Sequence, residues 1–384
     1  MKNKKKVAIL IPQFYWGGMP RVASNLVELL VERYDVTIVL VNNKLEIREN
    51  TYGAQVLRLS GGKFHKLLEL RQVLHREKYS AVISFGIIDN ILNIILNSKY
   101  SRTIITEHST KSFDNEIEPN PLKKKIYTWC MKHLYKHADN IVCVSQGIAD
   151  DLRQTYGVKN TSVIYNVIKN DRQADALNTA DDNLLKDIRH RDGRIILNAG
   201  RITPAKGQLN LVKAMKFTPA NFHLVLLGEG PDVERIMDYT KSHGLGDRVH
   251  YVGFRKNISS WMRESDLYAS MSWFEGFPTV LSESLLAGTP VVSSDIFSGP
   301  REILSNGRLI DYLSQIKYPY ILPNGVLADR FDFRDFMGNS SDFAKIERRF
   351  GECLKIAMNT SFELKFNFIS SRDTFNRYKD LIEG

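Results

Sequence analysis

The stretch Glu275-Gly276-Phe277-Pro278-Thr279-Val280-Leu281-Ser282-Glu283, which runs on into Ala287-Gly288-Thr289-Pro290-Val291-Val292, decides how the rest of the chain is read. Gly276 and Pro278 break a loop, the residues after Pro278 enter a short helix, and the β-branched run after Pro290 forms a buried strand. This passage belongs to an α/β sheet. It sets two carboxylates, Glu275 and Glu283, eight residues apart, with Glu275 and several backbone amides at the mouth of the sheet. A helix entered from such a mouth suits a phosphate that carries a sugar.

Outward from this stretch, short apolar runs alternate with helical ones. In the second half the strands fall at 194–198, 222–227, 249–252, 266–269 and 290–293. In the first half they fall at 7–12, 36–41, 56–59, 81–85, 103–106, 141–144 and 163–165, with helical patterns such as 19–33 and 64–77 between them. Short β-branched runs separated by amphipathic helices predict mostly parallel sheets covered on both faces. The polar interval 169–192, with Asp181-Asp182 and few large apolar residues, reads as a linker with one short helix. The fold class is therefore α/β, two doubly wound Rossmann-like domains facing a central cleft. Their bounds are residues 1–185 and 186–365, with 366–384 a last helix able to cross back to the first domain.

At 384 residues and 43% hydrophobic content the chain can bury two cores, which excludes disordered and fibrous classes. The formal charge of +10 points to an anionic partner: nucleic acid, an acidic lipid surface or a phosphorylated substrate. Cys130, Cys143 and Cys353 are odd in number and far apart, which indicates neither a disulfide framework nor a zinc site and fits a reducing cytosol. Only five apolar residues, 7–11, follow the basic start before Pro12, too few for a signal or membrane-spanning segment, so a cytoplasmic protein is expected.

The strand at 194–198 leads into Ala199-Gly200-Arg201-Ile202-Thr203-Pro204-Ala205-Lys206-Gly207. Arg201 and Lys206 lie outside the strand's carboxyl end, and an arginine fork with a lysine point charge suits two adjacent phosphates. A solvated surface loop fits the same residues. Glu275 can accept sugar hydroxyls, and the amides of Phe277 and Thr279, on either side of Pro278, favour charge gathering on a departing phosphate. Glu283 suits ribose hydroxyls or, alternatively, a solvated helix face. Gly253-Phe254-Arg255-Lys256 is a candidate wall for a nucleobase, with backbone groups at the ring edge and Arg255 or Lys256 over its face.

In the first half, Trp16-Gly17-Gly18 follows the first strand and opens a helix, so the backbone at Gly17 and Gly18 can approach an anion. No third glycine completes a dinucleotide fingerprint, which disfavours a dehydrogenase. His108 lies just past a strand end, where it suits a sugar hydroxyl or a structural role. Ser145-Gln146-Gly147 is a similar strand-end turn on the acceptor side. Residues 121–138 are helical in period and carry Lys123, Lys124, Lys125, Lys132 and Lys136 among Ile126, Tyr127, Trp129 and Leu134, with no acid. That helix could lie on an anionic bilayer or present its basic side to water.

Taken together, the paired glutamates with the following Gly288-Thr289-Pro290-Val291-Val292, the Gly200-Arg201 to Lys206-Gly207 loop and the early Gly17-Gly18 turn resemble the retaining glycosyltransferases of family 4, which have the GT-B fold. The resemblance covers most of the chain. It implies a nucleotide-sugar donor on the second domain and an acceptor on the first. Glu275 would then contact the donor sugar, Glu283 the ribose, Arg201 and Lys206 the diphosphate, and His108 the sugar near the reacting centre, while Gly18 meets the donor phosphate. The wording around Glu275, with Ser298-Gly299-Pro300-Arg301-Glu302 downstream, is similar to bacterial enzymes that extend lipid-linked glycans or cell-surface polysaccharides, many with UDP-hexoses or UDP-N-acetylhexosamines. A polyprenyl-diphosphate-linked acceptor and a peripheral position on the inner face of the plasma membrane follow as expectations, the latter through the Lys123–Lys125 region.

The chain departs from the family between 303 and 327, where extra residues precede the next glycine-containing strand. No Asp-x-Asp motif stands in a suitable loop, so transfer without a metal or other cofactor is expected. A phosphorylase or epimerase on the same scaffold is the rival enzyme, and a nucleic-acid-binding protein the rival of another class. The basic residues form no recognisable reading motif for nucleic acid, so no nucleic-acid partner is expected.

Overall fold

The computed structural model describes residues 4–15, 17–41, 47–168, 176–312, 314–330 and 343–384. Their contacts divide the chain into two compact units, Met1–Val167 with Ile369–Gly384, and Ile168–Phe368.

In the first unit, β1 (Lys6–Ile11), α1 (Gly18–Val31), β2 (Asp35–Leu40), β3 (Gln55–Arg58), α2 (Lys63–Arg76), β4 (Ala81–Phe85) and α3 (Ile87–Leu96) are followed by β5 (Arg102–Glu107), α4 (Lys111–Ile117), α5 (Pro121–His133), β6 (Asn140–Cys143), α6 (Gln146–Tyr156) and β7 (Thr161–Val163). The strands form one parallel sheet in the order β3-β2-β1-β4-β5-β6-β7. All five residues of β4 are buried, as expected of a central strand covered on both faces. One face packs Val7, Ile9 and Ile11 against α1, and the other packs Ala8, Leu10 and Val82 against Leu70 and Leu74 of α2. The alternation along β1 therefore feeds two separate cores.

The second unit holds α7 (Thr179–His190), β8 (Arg194–Ala199), α8 (Gln208–Ala214), β9 (Phe222–Leu227), α9 (Val233–Ser242), β10 (Val249–Gly253), α10 (Ile258–Arg263), β11 (Leu267–Ser270), α11 (Thr279–Ala287), β12 (Val291–Ser294), α12 (Pro300–Leu304), β13 (Tyr320–Leu322), β14 (Gly325–Ala328) and α13 (Phe343–Met358). Its sheet runs β10-β9-β8-β11-β12-β14-β13 and is parallel except for β13. The β13–β14 hairpin closes the 303–327 segment through the two-residue loop Pro323-Asn324.

The boundary between the units differs from the sequence reading, while the last helix crosses back to the first unit as the sequence allowed. Ile168 and residues 176–185 fall in the second unit rather than the first. The reason is α7, a 12-residue helix where a short linker helix was expected. Asn178 caps it by accepting from the Asp181 amide at 2.9 Å, and the Asp181 carboxylate takes both Arg255 Nε at 2.7 Å and Nη2 at 2.8 Å. The linker residues 169–175 lie outside the described set. At the other end α14 (Ser371–Glu383) belongs with the first unit: Tyr378 and Ile382 enter the core beside α1, and Glu383 accepts from Arg33 and Tyr34.

Candidate active site

In each sheet the chain direction of the crossovers reverses once, between β1 and β4 in the first and between β8 and β11 in the second. Loops leaving the carboxyl ends of two such strands diverge and leave a crevice that open α/β sheets use for ligands. In the second unit the diverging loops are 200–207 and 271–279, the two stretches that carry Arg201, Lys206 and Glu275.

These loops are fastened to each other. The Trp273 amide donates to Ala205 O at 2.9 Å. Gly207 turns with φ 65°, and a Cβ there would stand 2.0 Å from Met271 O, so only glycine fits. Across this seam the Lys206 ammonium donates to Glu275 Oε1 in an ion pair. Buried Gln208 braces the loop from below, donating to Arg201 O at 3.1 Å and accepting from the Thr203 amide at 3.4 Å. The Arg201 side chain is exposed to solvent at the loop tip.

Glu275 and Glu283 occupy one neighbourhood. Burial pushes the Tyr268 hydroxyl up, and both carboxylates push it further the same way. Tyr268 stands at the switch point, donating to Ala199 O at 2.9 Å. Pro278 precedes α11, with Phe277 buried and Thr279 the first helical residue, so the amides of Phe277 and Thr279 lie at the helix's positive end.

A third loop, 295–299, holds this segment in place. The Ser298 hydroxyl donates to Gly276 O, and Gly299 (φ 95°) packs so closely on Pro278 that a Cβ would come 2.3 Å from its Cδ. Behind it, Asp295 accepts from Arg301 Nε at 3.0 Å and Nη2 at 2.8 Å, from Arg330 Nη2 at 3.1 Å and from the Tyr318 hydroxyl. Arg301 also donates to Asp311 O and to Ser314 O. The 303–327 segment, a departure in the sequence, is thus tied to the loop behind Gly276 and Pro278. Neither Ser298 nor Asp295 carried a motif that pointed to this role.

Gly253 and Arg255 end β10 on the same sheet edge. Arg255 spends its guanidinium on Asp181 and on its own neighbour's carbonyl, Phe254 O, so its reach toward a ring is taken up by anchoring α7. Phe254, 47% exposed, and Lys256 are the outward groups of that loop.

In the first unit the loops after β1 and β4 meet: a Cβ on Gly86 would touch Pro12 and Met19. Gly17 takes φ 150° before α1, and a Cβ on Gly18 would meet open space, which leaves room for a ligand at the helix start. Trp16 lies outside the described residues. His108 follows β5, stacked on Phe85 at 5.2 Å with its Nε2 2.9 Å from Thr106 Oγ1. The Thr106 hydroxyl gives its single proton to Ser84 O at 2.7 Å, so His108 Nε2 must be the donor and Nδ1 is left as an acceptor. Burial, with help from the Lys111 ammonium, pushes His108 down to about 3. A neutral imidazole that accepts through Nδ1 is the form present near neutral pH.

A buried polar network supports that histidine. Glu107 accepts from Tyr135 at 2.6 Å, from Asn90 at 3.0 Å and from Lys111 at 2.9 Å. Lys111 is raised in spite of its burial, because Glu107 and Asp114 outweigh the desolvation. Cys130, Cys143 and Cys353 are free and buried. Among the described residues no helix is long and apolar enough to cross a membrane.

The carboxyl-edge geometry can be set beside known proteins. A family model described as Glycosyltransferase Family 4 matches residues 16–172, and one described as Glycosyl transferases group 1 matches residues 181–316. The N-acetylgalactosamine-N,N'-diacetylbacillosaminyl-diphospho-undecaprenol 4-alpha-N-acetylgalactosaminyltransferase of Campylobacter jejuni is 27% identical over 79% of this chain and 84% of its own length. The amylovoran biosynthesis glycosyltransferase AmsD of Erwinia amylovora is 27% identical over 78% of this chain and 83% of its own. Among solved structures, Anabaena Alr3699/HepE in complex with UDP superposes with a TM-score of 0.68 at 16% identity, covering 98% of each chain, which shows a shared GT-B fold. With the two family models together taking in more than half of its length, the chain belongs to the family 4, group 1 glycosyltransferases.

Proposed function

We propose that this glycosyltransferase works with retention, moving a hexose or N-acetylhexosamine from a UDP-sugar to a polyprenyl-diphosphate-linked glycan in cell-surface polysaccharide or glycoconjugate assembly. The observation that carries the reading is the Lys206–Glu275 pair at the switch point, one helix start away from the Phe277 and Thr279 amides. A cation and helix-start amides beside a carboxylate would suit a diphosphate and the sugar it carries. The named lipid-linked and polysaccharide substrates of the relatives support the acceptor class, and the UDP complex of the structural neighbour supports the base.

In this mechanism the acceptor oxygen forms a bond to the anomeric carbon as the bond from that carbon to the diphosphate oxygen breaks. The acceptor's proton passes to the departing diphosphate on the same face. Arg201, Lys206 and the α11 amides hold the leaving group more tightly as its charge grows. Glu283 takes the ribose, and the Gly253 turn the base edge. In the first unit, His108 Nδ1 accepts a sugar hydroxyl near the reacting centre, and the Gly17-Gly18 turn meets the donor phosphate. No metal takes part. The exposed stripe Leu122, Ile126 and Trp129 of α5, with Lys125 and Lys132 beside it, sets the enzyme on an anionic bilayer.

The test is a donor screen against lipid-linked and simple acceptors, read by mass, with chelator present and absent. A gain of one hexose or N-acetylhexosamine that survives chelation with retained anomeric configuration is expected. Loss of activity on chelation with rescue by magnesium or manganese would overturn the metal-free reading, and phosphorolysis in its place would overturn transfer to a glycan.

A further inference from the structure

Helix α3 is built inside out. Its buried residues are Asp89, Asn90 and Asn93, while Ile88 is 56% and Ile95 59% exposed. The polar side is turned inward for a reason: Asn93 Nδ2 donates to Val82 O at 3.0 Å, to Ser84 Oγ at 3.1 Å and to Ile104 O at 3.2 Å, and Asn90 joins Ser84, Thr106 and Glu107. With asparagines spent on the sheet, the isoleucines have nowhere to go but out. Ile88 and Ile95 are two helical turns apart and share the outer stripe with Ile91.

The neighbouring helix repeats the pattern. Leu70 and Leu74 anchor α2 in the same core cluster that Leu92 and Leu96 of α3 pack against, so the two helices lie side by side on one face of the sheet. On the outer side of α2, Phe64 is 75%, Leu68 47% and Leu67 39% exposed. The crossovers β3–β4, β4–β5 and β5–β6 all step in one direction, so right-handedness puts α2, α3 and α5 on the same face. Three helices of that face, α2, α3 and α5, thus turn apolar stripes outward.

The charges around the stripes choose the occupant. Lys63, Lys66 and Arg71 flank those of α2, and Lys99 follows α3. Of the acids on α2 and its C-cap, Glu77 is neutralised by Lys6 and Glu69 stands against Lys63, Lys66, Arg71 and Arg76, while the one acid of α3 is the buried Asp89, so the balance of this face is basic. A second copy of this chain would bring one basic face against another. An anionic bilayer matches both the charge and the apolar stripes.

We infer that α2 and α3 form a membrane-inserting face of the first unit, in which Phe64, Leu68, Ile88 and Ile95 enter the acyl boundary of an anionic membrane. This deepens the lipid-linked reading above by moving the seat from one basic helix to a face of several helices.

The test is flotation of the full chain with phosphatidylcholine vesicles that contain or lack phosphatidylglycerol. Binding that requires the anionic lipid is expected, and Ile88→Ser with Ile95→Ser, or Phe64→Ser with Leu68→Ser, should each weaken it about tenfold. All four positions are solvent-facing, so the variants should melt as the parent does. Unchanged flotation of both double variants would overturn the inference. So would a concentration-dependent dimer in sedimentation that the same variants dissociate, because the face would then belong to a second copy. Transfer to a short-chain, water-soluble acceptor separates this claim from the proposed activity: the double variants should keep it. Activity absent from the parent, with flotation intact, would count against the activity alone.

Discussion

Lys206 and Glu275 are joined across the seam between the loops after β8 and β11, the cation of one held by the carboxylate of the other. A ligand diphosphate would compete for Lys206 and release Glu275 to a sugar hydroxyl. On the proposed reading, each group would wait in a neutralised pair until a donor bound. Glu275→Ala and Lys206→Ala should each cost about 3 kcal/mol in transition-state stabilisation, about a hundredfold in kcat/KM. The double variant should reach at least the sum, since with a donor bound the two groups would hold different parts of it. Both side chains are partly solvated, so thermal stability should move by no more than about 1 kcal/mol. Full activity of Glu275→Ala would remove that residue from the site.

His108 makes a prediction about pH with a definite sign. Its folded value, about 3, lies below its ordinary 6.5, so the unfolded chain binds more protons between those values. The stability this contributes is complete above pH 6.5 and is lost as pH falls toward 3. Urea unfolding should show the parent losing more stability between pH 7 and 5 than His108→Gln, which cannot titrate. The same variant keeps a donor for Thr106 but carries its acceptor on Oε1, displaced from the position of Nδ1, so kcat should drop about tenfold or more while the melting temperature at pH 7 holds. An activity profile with a step near pH 6.5 that vanishes in His108→Gln would refute a neutral imidazole.

Much of this was legible because local pattern and global fold agree. Strands such as 81–85 and 222–227 are short β-branched or apolar runs between helices, and they occur where they were read. The Arg201–Lys206 loop and the Glu275–Glu283 stretch each follow a strand, which was enough to place them on one sheet edge. What the pattern could not show was side-chain partnership over distance. Arg255 read as a ligand group, and nothing local reveals that Asp181, 74 positions away, takes its guanidinium. Helix α3 is the sharpest case. Its isoleucines look like core in any periodicity count, and only the strand carbonyls waiting for Asn93 invert it.

Asp89, at the start of that helix, carries the opposite sign to His108. Its carboxyl is buried, Oδ2 has no hydrogen-bond partner, and burial pushes it up to about 8. Between about pH 4 and 8 the folded chain holds a proton that the unfolded chain has released, so stability falls as pH rises through that window. Asp89→Asn keeps the shape and removes the charge. Its melting temperature should exceed the parent's at pH 8 and match it near pH 4. A variant that is less stable at pH 8 would mean that the carboxylate is used in its ionised form.

The last prediction concerns the loop behind the Gly276-Phe277-Pro278 turn. Asp295 is fully buried, and two arginines and a tyrosine converge on it, so removing Arg301 takes away the more buried of its two cations and leaves Arg330 alone to balance it, at a cost of about 3 kcal/mol, enough to unfold a marginal domain. Softer changes separate position from stability. Tyr318→Phe deletes one of the hydrogen bonds to Asp295 and keeps both arginines, a loss of about 1–2 kcal/mol. Ser298→Ala releases Gly276 O from the Ser298 hydroxyl while leaving the Asp295 cluster whole. If the 295–299 loop positions the α11 amides, Ser298→Ala should lower kcat/KM for the donor about tenfold with a near-parental melt, and Ser298→Thr, which restores a hydroxyl, should recover part of it. If it serves stability alone, donor kinetics will follow the melting temperature across the three variants, with Tyr318→Phe the slower enzyme because it is the less stable one.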